Sequence, residues 1–168
     1  MTATSLAVKA KEVSALMGCR PFMALPKEEI DRHYATIEVR PVSSSAVEMR
    51  PLSVHCVLHF NYSWLTCASG ARRSLGIGGP LVGNEADLFL EDSWTAAAGA
   101  VLESMLDLPA RPEIRLAGLL NGNLSAPHAP LFLIYVARLR QPGAASRGLV
   151  HEIRFLGNGD VIAEREGL

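Results

Sequence analysis

The 168-residue chain lacks any apolar run long enough to cross a bilayer. Its longest, Leu131 to Ala137, falls far short of the roughly 20 residues that a spanning helix needs. The start, Met1-Thr-Ala-Thr-Ser-Leu-Ala-Val-Lys9, has neither the charged opening nor the apolar block of a secretion signal. Cysteine is scarce: Cys19, Cys56 and Cys67 are odd in number and form no C-x-x-C pair. That excludes a disulfide scaffold or zinc knuckle and suits free thiols in a reducing compartment. The net charge of −1 leaves no basic excess with which to coat nucleic acid. Repeats and low-complexity tracts are absent as well. What remains, 49% hydrophobic and 20% charged residues, is the composition of a packed globular protein. The length fits one domain with a short appendage. The expectation is a soluble, cytoplasmic protein.

Charge is distributed unevenly along this balanced chain. No basic residue lies between Arg73 and Arg111, an interval holding Glu85, Asp87, Glu91, Asp92, Glu103 and Asp107. From Arg111 to Arg154 the sign reverses, with six arginines against Glu113 and Glu152. Clustered carboxylates repel anions unless a cation sits among them. A solvated acidic face is the plainer account of the same residues.

Hydrophobic periodicity gives a coarse map. Residues 4–17 carry Leu6, Val13, Leu16 and Met17 near helical spacing, with Gly18 as a stop. Lys27 to Ile37 reads as a second short helix and Pro41 to Pro51 as a serine-rich loop. Residues 1–50 thus form a helical preface to a main domain over 51–168. From Leu52 the period becomes two, with Val54, Cys56, Leu58 and Phe60 on one face and His55, Val57 and His59 on the other. Ser63 to Ala68 is the returning strand of a hairpin, and Gly76 to Pro80 a glycine-rich turn. Asp92-Ser93 makes an N-cap for a helix through Asp107, where Trp94, Ala98, Val101, Leu102 and Met105 form one apolar stripe. Pro109 ends it. Strands are expected over Glu113–Leu120, Leu131–Arg140 and Leu149–Leu156, with turns at Asn121-Gly122 and at 157–160, the second leading into Val161–Glu164. The order of elements predicts a mixed α+β sandwich, not a βαβ repeat.

Several chemistries are excluded by spacing. Gly78-x4-Gly83 is followed by Asn84 where a P-loop needs lysine, and Gly76-Ile-Gly78-Gly-Pro-Leu81 lacks the third glycine of a dinucleotide fingerprint. His55 and His59 stand about 13 Å apart on a straight strand, too far to share one zinc with bonds near 2 Å. The G-x-S-x-G elbow of a hydrolase is missing, and Cys67 has no evident activating partner.

One combination points further. Arg72-Arg-Ser-Leu-Gly-Ile-Gly-Gly79, then a loop and an amphipathic helix, resembles the Nudix superfamily. It is most similar to the branch whose strand before the helix reads R-L-x-x-x-S-I-G-I-G-G-H. Ile114-Arg-Leu-Ala-Gly-Leu-Leu-Asn121 and Leu131-Phe-Leu-Ile-Tyr-Val-Ala137 are similar to the two strands after that helix, so the resemblance covers residues 52–140. It implies an α/β/α sandwich with a mixed sheet and a metal site on the helix after the double glycine. In the family motif G-x5-E-x7-R-E-U-x-E-E-x-G-U, paired glutamates hold Mg²⁺ or Mn²⁺ against a diphosphate and help activate water. A hard cation needs several oxygens in near-octahedral array, shared with the substrate's phosphates.

Carried over residue by residue, the motif departs where its chemistry lies. With the final aliphatic at Leu108, Ala100 stands at its arginine and Val101 at its first glutamate. Ser104 and Met105 stand at the paired glutamates, Asp107 at the glycine and Asp92 at the upstream glutamate. A thioether does not replace a carboxylate on magnesium. Met105 also lies on the apolar stripe, where its task is packing. Pro80 replaces the branch's histidine, and the loop after Gly79 is longer than the motif allows. Glu103 and Asp107, four apart, would share a helix face and could meet one cation. Asp92, about 17 Å up the helix from Glu103, could not join them.

Three readings follow. In the first, a Nudix-like domain has lost its metal site and binds a nucleotide-like or other anionic ligand, or a partner protein. Arg72 and Arg73 would grip the anion, Gly78 and Gly79 would wall the pocket, and a homodimer would form through sheet edges or N-terminal helices. In the second, an active pyrophosphohydrolase uses Asp92, Glu103 and Asp107 as a rebuilt Mg²⁺ or Mn²⁺ site, helped by Glu85 or Glu91. The third is an unrelated α+β interaction module.

Overall fold

A computed structural model describes residues 4–24, 39–41, 49–69, 72–83, 93–122, 129–141, 145–146 and 152–157. Its organising strand is β4, Met49–Phe60, which runs at the centre of a mixed sheet. Leu52, Val54, Cys56 and Leu58 alternate with half-buried neighbours and are all buried, as period two requires of a strand with one face in the core. Along one edge β4 pairs in parallel with β11, Leu131–Arg138, from Leu52↔Leu131 to His59↔Arg138. Along the other edge three partners succeed one another, all antiparallel. They are β1 (Thr4–Lys9), β7 (Ile77–Pro80) and β5 (Ser63–Ser69).

The remaining strands extend this centre. β10, Glu113–Asn121, lies antiparallel to β11, and β2, Phe22–Ala24, lies against β10. β13, Glu152–Gly157, and β6, Arg72–Leu75, pair with β5. β3, Val39–Pro41, and β8, Val82–Gly83, pair with β1. A separate ribbon joins β9, Leu106–Asp107, to β12, Ala145–Ser146.

Two helices are described, α1 over Ala10–Met17 and α2 over Ser93–Met105. Trp94, Ala98 and Leu102 of α2 are buried against Val54, Cys56 and Tyr135 in one cluster that also holds Val8, Val13 and Met17. Each large apolar side chain buried this way contributes about 1.5–3 kcal/mol. Among the described residues, no helix is long and apolar enough to cross a membrane.

Several expectations are corrected. The helix expected over 4–17 is a strand followed by a shorter helix, because Ala7 and Val8 are buried where β1 hydrogen-bonds to β4. Gly18 does stop α1, at φ +56°. At the ends of the loop expected over 41–51, Pro41 closes β3 and Met49–Pro51 open β4, while residues 42–48 lie outside the described residues. Of the expected glycine turn, Ile77–Pro80 form an extended strand, β7, and only Gly76 bends the chain, at φ +76°. α2 ends at Met105, not Asp107, because Leu106 and Asp107 pair with β12. Of the third late strand, expected from Leu149, Glu152–Gly157 form β13, and residues 147–151 lie outside the described residues. Asn121 closes β10 instead of opening a turn. The helix at 27–37 and the hairpin beyond Gly157 lie outside the described residues.

Candidate functional site

The glycine-rich strand is glycine-rich because β7 presses against β4. Gly76 has φ +76°, and a Cβ there would collide with the Cys56 carbonyl. At Gly78 a Cβ would stand 2.6 Å from the Val54 oxygen. Only glycine tolerates both demands. His55 lies over this strand, and its Nε2 donates to the Leu75 carbonyl at 2.6 Å. Because a carbonyl only accepts, Nε2 carries the proton in this contact.

Helix α2 closes on the same strand from the core face. A Cβ at Gly79 would lie 3.4 Å from Val101 Cγ1 and 3.5 Å from Met105 Cε. The space expected between sheet and helix is thus occupied, at Gly79, by an isopropyl group and a thioether. One residue earlier, the Ser104 hydroxyl turns back to donate to the Val101 carbonyl at 2.8 Å. Glu103 and Asp107 are both exposed. Asp107 stands on β9, beyond the end of α2, so the four-residue spacing does not bring the two carboxylates onto one helix face. Asp92, Glu85, Asp87 and Glu91 lie outside the described residues.

The two arginines before the glycines sit on β6, Arg72 opposite Ser69 and Arg73 opposite Ala68. Arg73 Nη1 donates to Thr66 Oγ1 at 3.2 Å, and that hydroxyl donates to the Arg154 carbonyl at 3.3 Å. Burial pushes the neighbouring Cys67 thiol up to about 11, and the Arg73 charge draws it part of the way back.

No family model matches the chain, and no curated protein is matched by its sequence. Solved structures do match. Tm1382, assigned to the Nudix hydrolases, superposes with a TM-score of 0.76 at 16% identity, over 95% of this chain and 88% of that one. The chain has the Nudix fold. The Nudix domain of Shewanella oneidensis NrtR, complexed with ADP-ribose, superposes with a TM-score of 0.50 at 17% identity. That match covers 73% of this chain and 82% of that one.

Within the Nudix fold, the contact of Met105 with the Gly79 position sets the end of the helix beside the double glycine, where the resemblance would put a metal. The residues at the motif's paired glutamates do not fit one. Met105 offers a sulfur, Ser104 a hydroxyl already committed to its own helix, and a hard cation selects anionic oxygen. Among the described residues, no three His, Cys, Asp or Glu side chains come together to hold a metal ion.

Two features of this Nudix-fold chain escape sequence reasoning. Arg50 is buried on the core face of β4, its Nε donating to the Ala129 carbonyl at 2.7 Å and its Nη2 to Asn121 Oδ1 at 2.6 Å. It ties the beginning of β11 to the end of β10, and burial lowers its affinity for the proton. The second feature is a cavity of about 490 Å³ at the opposite end of the sheet, with His59, Tyr62, Glu113, Arg115 and Arg138 in its walls. Alternation along β10 and β11 marks Glu113, Arg115 and Arg138 as facing away from the core. That they are neighbours depends on pairings no local pattern encodes.

Proposed function

We propose that this Nudix-fold protein has lost metal-dependent pyrophosphohydrolysis and works by binding a nucleotide-like or other anionic ligand, or a partner protein. The observation that carries the reading is Met105. Its thioether packs at Gly79, at the motif position where Nudix hydrolases need a carboxylate. The ADP-ribose held by the NrtR domain supports the ligand class, since a protein of the same fold takes a small phosphorylated molecule. Arg72 and Arg73, on β6, are the ligand's anchors in this reading, and Gly78 and Gly79, on β7, wall the pocket: guanidinium forks match phosphate oxygens two at a time. The fold sets aside an unrelated α+β module. The same proposal places the protein in the cytoplasm as a homodimer joined through sheet edges or the N-terminal helices, and sedimentation reads its mass.

The test is turnover. Purified protein incubated with ADP-ribose, a dinucleotide or a nucleoside triphosphate, with Mg²⁺ or Mn²⁺, is expected to release no product above a protein-free control. Metal-dependent cleavage that disappears on Glu103→Gln would instead establish a working cation site that uses Glu103, with loss of the binding-only reading.

A further inference from the structure

The cavity at the far end of the sheet is built differently from the glycine strand. It opens on the face away from α2: Gly79, which meets the helix, pairs with Val54, whereas His59 belongs to the alternate set of β4. Across that face the register runs His59↔Arg138↔Glu113, and Arg115 lies two residues along β10, opposite Val136. Arg115 and Arg138 are therefore diagonal neighbours on adjacent strands, with Cβ atoms about 7–8 Å apart. Side chains of that length can converge on a single oxyanion. Among the described residues, neither guanidinium makes a hydrogen bond or ion pair, and neither does Glu113. Two cations against one carboxylate leave the rim positive.

The remaining wall is aromatic. Strands β4 and β5 are joined by the two-residue turn Asn61-Tyr62, and Asn61 adopts φ +53°. Favoured two-residue hairpin turns demand a positive φ at their first position, which asparagine tolerates better than most residues. The turn holds the Tyr62 ring out at the cavity mouth, 87% exposed. Behind it the His59 ring packs on Trp64, with centroids 5.2 Å apart. The volume, about 490 Å³, is in the range of small-ligand pockets.

We propose that this cavity is a second binding site, for a small organic anion that carries a planar ring. Arg115 and Arg138 take its phosphate or carboxylate, and the ring stacks on Tyr62. Both anions fit a guanidinium fork, and both are served by the same two side chains. The site is independent of whether the glycine strand and α2 retain hydrolysis, because it involves none of their residues.

Binding is read by calorimetry and by the fluorescence of Trp64, beneath His59, with AMP and benzoate as probes and no added metal. At least one probe is expected to bind, AMP alone marking phosphate as the preferred anion and benzoate alone marking carboxylate. Arg115→Gln and Arg138→Gln should each weaken that probe about tenfold, the loss of one charge-assisted bond. Glu113→Gln, which removes the opposing charge, should tighten it. All three side chains are exposed, so unchanged melting temperatures are expected and separate lost binding from lost folding. Failure of both probes to bind at millimolar concentration overturns the proposal, and so does affinity that survives the double substitution R115Q/R138Q. Neither result bears on turnover, so the loss of hydrolysis is judged separately.

Discussion

Cys56 and Cys67 are buried in the core, and burial raises both thiols, Cys56 to about 12 and Cys67 to about 11, from an ordinary value near 9. Tyr135, beside Cys56, is raised as well by desolvation. Above about pH 9 the unfolded chain ionises these thiols while the folded chain keeps them protonated, so ionisation favours unfolding. Stability is thus held in full below about pH 9 and is expected to fall between pH 9 and 12, at up to about 1.4 kcal/mol per pH unit for each group. Urea titrations across that range check it, and a flat profile would mean that these groups are solvated. Cys19, exposed, is the thiol expected to react with a soluble reagent in the folded protein. Three scattered cysteines excluded a disulfide framework on sequence alone, but nothing in their spacing distinguished the exposed one from the buried pair.

Glycine-rich stretches usually punctuate elements, and by that rule Gly76 to Pro80 is a turn. Ile77 to Pro80 instead pair with β4, and at Gly76 and Gly78 the backbone of β4 stands where a Cβ would be. Gly76→Ala is expected to destabilise the protein by about 2 kcal/mol or more, from backbone strain at φ +76° together with the clash on the Cys56 carbonyl. Gly18→Ala, also at positive φ but with open space around the position, should cost less. Equal losses in chemical denaturation would show that conformation alone, not close approach, selects glycine at 76. The apolar stripe of α2 was legible because packing follows the 3.6-residue period that the sequence displays. Its end was not. Leu106 and Asp107 leave the helix for a pairing with Ala145 and Ser146, and a partner that distant leaves no local mark.

At the scale of the molecule, the first residues of the chain are woven into the sheet. β1 bridges β3, β4 and β8, β2 borders β10, and Val8, Val13 and Met17 sit in the same core as Trp94 and Tyr135. Removing residues 1–24 would strip four core side chains, Ala7, Val8, Val13 and Met17, and a partner of the central strand. The expected outcome is loss of cooperative thermal unfolding and of near-ultraviolet circular dichroism. A truncated chain that melts cooperatively would support a domain over 51–168 that stands without its preface. The N-terminal strand is not legible in the sequence because Leu6, Val13 and Met17 mimic helical spacing, and burial of Ala7 and Val8 against β4 outweighs that weak local preference.

By itself the sequence determined which faces are apolar, the order of the late strands, the stripe of α2, and the serine and methionine standing where acids would be needed. These are local properties, set by side-chain chemistry and by the periods of helix and strand. The tertiary structure alone decided that β7 is a strand, that β4 has three successive partners on one edge, that Met105 meets Gly79, and that Arg115 and Arg138 converge on one cavity. Each of these joins residues distant in the chain, and their contact depends on register and on the closing of loops, which local periodicity does not encode.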